Sequence, residues 1–140
     1  MKEQFIVREV ARLLIPFILL FGLYVIFHGE ISPGGGFQGG VILASAFILY
    51  TLVYGAEGGQ RVLSSDASDR LNSVGVLLFA GVGVATMVLG GAFLAYNELL
   101  PAQPAAGQVL GIVLVELGVG ITVFAVMVTL FNEMIGAARR

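Results

Sequence analysis

Four long apolar runs, separated by short polar segments, restrict the folds open to this chain of 140 residues more than any other feature. The runs cover about residues 10–27, 39–56, 73–96 and 109–131. A membrane-spanning helix needs roughly 20 mainly apolar residues. Only 11% of the residues are charged, whereas a soluble domain usually carries about 25%. The pattern predicts an all-α integral membrane protein, with four transmembrane helices in a single domain over residues 1–140.

The basic residues predict how these four helices are oriented. Cytoplasmic segments of membrane proteins are enriched in Lys and Arg. The seven basic residues lie before or at the start of the first run, between the second and third runs, or at the end of the chain: Lys2, Arg8, Arg12, Arg61, Arg70, Arg139 and Arg140. Four antiparallel helices place all of them on one side of the bilayer. Both termini are therefore expected to be cytoplasmic.

Composition argues against several classes of function. The chain has no cysteine and a single histidine, so a zinc cluster and a hydrolytic triad are both excluded. The basic residues are scattered, which argues against a nucleic-acid-binding surface. We therefore predict no catalytic residue, no metal site and no cofactor.

Two titratable residues are candidates for an ion or proton path. Glu116 lies near the middle of the fourth run, and a charged side chain at that depth costs about 2.5–3.5 kcal/mol on insertion scales. The cost falls if the carboxyl group is protonated, and a proton carrier needs that property. Neither Lys nor Arg lies at this depth, so a partner is expected from water or another subunit. His28 ends the first run, and histidine titrates near neutrality. The alternative for Glu116 is a neutral hydrogen bond to a neighbouring helix, and for His28 a bond to free carbonyl groups.

A glycine-rich segment, HGEISPGGGFQGGVI, joins the first two runs at residues 28–42. It lacks the lysine of a phosphate-binding P-loop. Glycine permits positive φ and close approach of backbones, so we predict a compact connector that other segments overlay. Phe37 is expected to insert into a neighbouring groove. The predicted structural motif comprises Pro33, Gly34, Gly35, Gly36, Phe37, Gly39 and Gly40.

Small residues predict how the last two helices pack. In lipid, helices associate through small residues that let backbones approach. Gly75, Gly83 and Gly90 recur along one side of the third run. Gly118 and Gly120 lie on different sides of the fourth run, so this helix is expected to pack against two neighbours.

The segment HGEISPGGGFQGGVILASA resembles the H-x-x-x-PGGGFxGG signature of the MnhB family, the B subunits of multisubunit Mrp-type Na⁺/H⁺ antiporters. The sequence VELGVGITV around Glu116 resembles the acidic late helix of that family. This chain has Glu30–Ile31 where the family often has Asn-like or small residues, a difference that affects contacts of the connector. The resemblance extends over essentially the whole chain.

The resemblance implies a non-enzymatic subunit of a hetero-oligomeric complex in the plasma membrane of a prokaryote. Such a complex exchanges Na⁺ and H⁺, and the partners are the other Mrp subunits and the lipid bilayer. One alternative is the same type of subunit in an ion-pumping membrane-bound hydrogenase or related oxidoreductase. Another is a homo-oligomeric pore built on glycine contacts.

Overall fold

A computed structural model describes residues 2–29 and 34–138 of the chain. These residues form five α-helices and one short 3₁₀ helix. The α-helices are α1 (Lys2–Phe27), α2 (Gly36–Tyr54), α3 (Ala56–Val62), α4 (Ser65–Val88) and α5 (Pro104–Ala138). The 3₁₀ helix is Tyr96–Leu99. Pro33 and the rest of residues 30–33 lie outside the described residues, as do the basic residues at positions 139 and 140.

Four of these helices are long and apolar enough to cross a membrane, which confirms the predicted all-α membrane architecture. Their candidate spans are Phe5–Phe27, Gly36–Tyr54, Ser65–Val88 and Pro104–Gly136. The helices pack in the order α1, α2, α5, α4. Helix α5 thus lies between α2 and α4, while α1 packs mainly on α2. The start of α1 and the end of α5 lie at the same end of the bundle as α3, since Arg8 contacts Tyr54 and Gly136 lies beside Ala56.

Helical structure also occurs outside the predicted apolar runs. Helix α1 begins at Lys2, although its apolar run begins only near residue 10. Helix α5 likewise extends to Pro104–Ala138. The polar segment after the second run forms the short helix α3, where a loop was expected. The extension of α1 has a simple cause: hydropathy marks where a helix is buried in lipid, whereas good helix formers such as Lys, Glu, Gln and Arg let the helix continue into polar sequence.

The third run differs most from the prediction, because α4 spans Ser65–Val88 and not residues 73–96. Its start is set by Ser64, whose hydroxyl accepts a hydrogen bond from the backbone N–H of Ala67 at 3.2 Å. Such N-caps satisfy one of the unpaired N–H groups of a first turn. Its end is followed by Gly90 at a φ of 96°, a conformation in which a helix cannot continue.

The segment after α4 folds back onto the helix. The Thr86 hydroxyl lies 2.8 Å from the carbonyl oxygen of Gly83 and accepts a hydrogen bond from the N–H of Leu94 at 3.0 Å. The ring of Phe93 packs against Gly83, at the position that a Cβ would occupy. Gly83 therefore packs against a side chain of the segment that follows α4. The prediction that it joins Gly75 in one packing stripe is wrong.

The small residues of α5 do contact two different helices, as predicted. A Cβ on Gly75 of α4 would stand 2.7 Å from the carbonyl oxygen of Gly118. A Cβ on Gly40 of α2 would stand 2.7 Å from the carbonyl oxygen of Gly120. These distances are shorter than ordinary van der Waals contact, so both neighbours approach α5 backbone to backbone.

Candidate ion and proton site

Glu116 lies on the side of α5 that faces the connector between α1 and α2. It is the thirteenth of the 35 residues of this helix, about 18 Å from the N-terminus of α5 at 1.5 Å per residue. The residue is half-buried. Its position is set by Gly120, one turn further along α5, which lies against Ile26 of α1 and Gly36 of α2. Close packing at Gly120 therefore brings the Glu116 carboxyl group to the point where α1 ends and α2 begins.

Three glycines surround Glu116. The carboxylate oxygens occupy the space that a Cβ on Gly29 would fill. A Cβ on Gly35 would stand 2.9 Å from Oε1 of the same carboxylate. A Cβ on Gly36 would overlap the backbone carbonyl oxygen of Glu116 and stand 3.0 Å from the backbone nitrogen of Gly120. Any larger residue at these three positions would displace the carboxyl group or the helix that carries it.

The N-terminus of α2, at Gly35, contributes to the electrostatics of this site. Gly35 is the N-cap residue of α2, its φ is 112°, and it provides no side-chain hydrogen bond to the first turn. The N-terminus of a helix carries about half a positive charge, which stabilises an anion nearby. The Glu116 carboxylate lies next to this N-terminus. The carboxyl end of α1, which carries the opposite partial charge, reaches the same place through Gly29.

This arrangement changes the expectation about the partner of Glu116. The sequence alone predicts a partner from water or another subunit, because neither Lys nor Arg lies at that depth. The structure adds a positive helix end from the chain itself. Broken or interrupted helices supply charges in this way in membrane transporters, where half-helix N-termini face anionic groups.

His28 caps the end of α1 one residue before Gly29. Its Nδ1 donates a hydrogen bond to the backbone carbonyl oxygen of Tyr24 at 3.1 Å. Its ring stacks on that of Tyr24, with centroids 4.0 Å apart and an angle of 26° between the planes. The same carbonyl oxygen also accepts the backbone N–H of His28 at 3.1 Å. The ring therefore adds a second hydrogen bond to an occupied carbonyl group, which differs from the predicted alternative of a bond to free carbonyl groups. His28 nevertheless lies in the same corner of the molecule as Glu116, because Gly29 contacts the carboxylate.

The remaining residues of the glycine motif have different surroundings. Gly39 packs against α1, where a Cβ would stand 2.8 Å from the carbonyl oxygen of Gly22. Among the described residues, a Cβ on Gly34 would meet Val25, at 3.2 Å. Phe37 is 60% exposed, so its ring fills no groove of this chain, and insertion into a groove of a neighbouring subunit stays a prediction. Helix α2 begins at Gly36 with Phe37 on the side away from both neighbours.

Sequence reasoning missed Gly29 and Tyr24. A glycine just after the last apolar residue of a helix is a common C-terminal signal, and Gly29 follows His28 in this way. That signal could have marked the end of α1, but the contact with Glu116 depends on α5. Tyr24 lies one turn before His28 in the helix, and this spacing could have indicated the stacked pair.

Comparison with known proteins agrees with the fold and the motif. A family model described as a domain related to the MnhB subunit of Na⁺/H⁺ antiporter matches residues 6–129. The chain belongs to the MnhB family. The match includes both the glycine connector and Glu116, so the MnhB domain contains every described part of the candidate site.

Curated relatives cover nearly the whole MnhB chain. A protein of Staphylococcus haemolyticus (strain JCSC1435), named as antiporter subunit mnhB2, is 38% identical over 141 residues, with 97% of this chain and 98% of the relative aligned. Proteins with the same name from Staphylococcus aureus strains Newman and NCTC 8325 are 39% identical over the same shares. These names favour an antiporter subunit over a subunit of a hydrogenase, and a transport subunit over an enzyme.

Proposed function

We propose that this MnhB subunit contributes Glu116 to the proton path of the Na⁺/H⁺ antiporter complex to which it belongs. One observation carries the proposal: the carboxyl group of an intramembrane Glu lies between the end of α1 and the N-terminus of α2. A proton carrier must reach both its charged and its neutral form. The positive end of α2 favours the anion, while the apolar surroundings favour the neutral acid.

His28 is proposed as the group that exchanges protons between Glu116 and the surface at the connector end of the bundle. It lies at the end of α1 and is half-buried. Its Nδ1 is engaged with Tyr24, which fixes the orientation of the ring. The adjacent Gly29 provides the contact to the carboxylate of Glu116.

The glycine motif is proposed to hold this corner together and to support assembly with the other Mrp subunits. Gly35 and Gly36 bring the start of α2 against α5, and the exposed ring of Phe37 beside them is available to a neighbouring subunit. We place the subunit in the plasma membrane of a prokaryote, with both termini in the cytoplasm. In this orientation the connector corner faces the outer side, from which protons enter during sodium extrusion.

The substitution Glu116→Gln tests the role of the carboxyl group. Gln keeps nearly the same shape and can still form hydrogen bonds, but it cannot titrate. Sodium-dependent proton flux in everted vesicles should fall about 10-fold or more, because positioned proton-transfer groups typically contribute 10²–10⁴-fold to a rate. The amount of assembled complex, measured by co-purification, should stay the same.

Glu98→Gln is the matched control. Glu98 lies in the 3₁₀ helix between α4 and α5 and accepts a hydrogen bond from Asn97. This control should leave flux and its pH profile unchanged. For His28→Gln, we expect a shifted pH profile with less effect on flux at the optimum. Unchanged flux and pH profile in an assembled Glu116→Gln complex would give Glu116 a purely structural role.

A further inference from the structure

An apolar groove of about 320 Å³ runs between α1 and α5 across the face of α2, at the end of the bundle where α3 lies. Helices α1 and α5 both pack on α2 but barely meet each other there, so the groove is open at the side. Its walls are almost entirely apolar. The residues that line it include Ile15, Leu19, Tyr50, Val62 and Phe124.

The wall formed by α1 continues into two arginines. Arg8, Arg12, Ile15 and Leu19 are spaced by four, three and four residues, so they lie on one face of the helix. Arg8 and Arg12 are both exposed, and the Cζ atom of Arg8 lies 5.9 Å from the centre of the Tyr54 ring. Glu9 lies about 100° around the helix from Arg8 and so is off this face. The groove therefore leads along α1 to positive charge.

Helix α3 adds a third arginine at the same end. A Cβ on Gly58 would stand 3.4 Å from Cβ of Tyr54, which places this face of α3 against α2. Arg61 follows three residues later, on the same face of α3 and next to Val62 in the groove wall. The acidic residue of α3, Glu57, lines a separate cleft against α5. Arg8, Arg12 and Arg61 are thus exposed on the parts of α1 and α3 that flank this end of the groove, its mouth.

We propose that this groove binds an anionic membrane phospholipid. One acyl chain lies along Leu19 and Phe124, and the phosphate group lies among the three arginines at the mouth. The apolar walls fit a hydrocarbon chain, and the basic mouth fits a negatively charged headgroup. Basic pockets between transmembrane helices are a recognised type of site for such headgroups. The lipid comes from the leaflet that meets the basic ends of α1 and α3, and its binding is independent of Glu116.

Fluorescence quenching by brominated lipids tests the proposal in the full-length chain. The chain contains no tryptophan, so one introduced residue reports alone. Leu19→Trp places the reporter in the groove, whereas Leu20→Trp places it on a 65% exposed position outside. The vesicles contain either brominated phosphatidylglycerol or brominated phosphatidylcholine. At Leu19→Trp, phosphatidylglycerol should bind at least about five-fold more strongly, the effect of one arginine near an anionic lipid. At Leu20→Trp the two lipids should quench equally.

Charge variants provide the second comparison. In the Leu19→Trp chain, Arg61→Gln should lower the preference for phosphatidylglycerol about five-fold. Arg70→Gln should leave it unchanged, because Arg70 belongs to α4, which does not line the groove. Equal affinity for both lipids at Leu19→Trp would overturn the proposal. Protection of the Leu19→Trp reporter from quenching by both lipids would also overturn the proposal, because it would indicate that a protein segment fills the groove. Ile15→Trp is the replacement reporter if Leu19→Trp lowers the helical content by circular dichroism.

Discussion

Replacing Gly36 by alanine tests whether the close contact between α2 and α5 holds Glu116 in place. The added Cβ would overlap the backbone carbonyl oxygen of Glu116 and stand 2.9 Å from the carbonyl carbon. Ordinary contact begins at 3.4 Å, so the two backbones would have to separate by about half an ångström at least. Neither neighbour can yield by rotating a side chain, because the atoms are backbone atoms. Overpacking of this kind costs about 1–3 kcal/mol.

Gly81→Ala is the matched control, because a Cβ on Gly81 of α4 would meet nothing within 4 Å. Alanine inside a helix is about 0.5–1 kcal/mol more favourable than glycine, so this control should stabilise the protein slightly. The two variants should therefore differ by about 2 kcal/mol or more in the free energy of unfolding. Titration with denaturing detergent, followed by circular dichroism, measures this difference. Equal stability of the two variants would show that the start of α2 does not need to lie so close to α5.

Two further predictions concern topology and the connector after α4. The chain has no cysteine of its own, so single cysteines can be introduced at Ser64 and Gln103. The cysteine at position 64 should be labelled from the cytoplasm and the one at position 103 from outside. The reverse pattern would contradict the orientation. Thr86→Val should lower the free energy of unfolding by about 1–3 kcal/mol, because the partly buried N–H of Leu94 loses its acceptor. Ser45→Ala is the control, because it removes an exposed hydroxyl that is bonded within its own helix. It should change the free energy of unfolding by less than about 0.5 kcal/mol. An equal loss of stability in both variants would contradict a special role of Thr86.

The candidate site explains why a short connector of this protein is so rich in glycine. Gly35 and Gly36 meet Glu116 directly, and Gly39 packs on α1. Each of them removes a side chain from a point where two backbones meet. The motif can thus be understood as the means by which α1, α2 and α5 converge on one carboxyl group. The flux measurements on Glu116→Gln test the role of this carboxyl group in ion transfer.

Hydropathy and charge along the chain were sufficient to predict four membrane helices and their common basic end. These are local properties: an apolar run of sufficient length must be buried in lipid whatever its neighbours are. The same holds for the glycine motif, because its residues are adjacent in sequence. Glu116 could also be selected from the sequence, since an acid inside an apolar run is costly wherever the helix packs.

The surroundings of Glu116 depended on the tertiary structure. Gly29 and Gly35 lie more than 80 positions away from it in the chain, and only the register of α2 on α5 brings them together. The end of α4 was decided in a similar way, because Phe93 packs on Gly83 and Thr86 binds Leu94 after the chain has turned back. An apolar segment such as residues 89–96 has the same hydropathy whether it continues a helix or folds against one. The choice depends on contacts between residues that are separated in sequence, and these contacts exist only once the helices have packed.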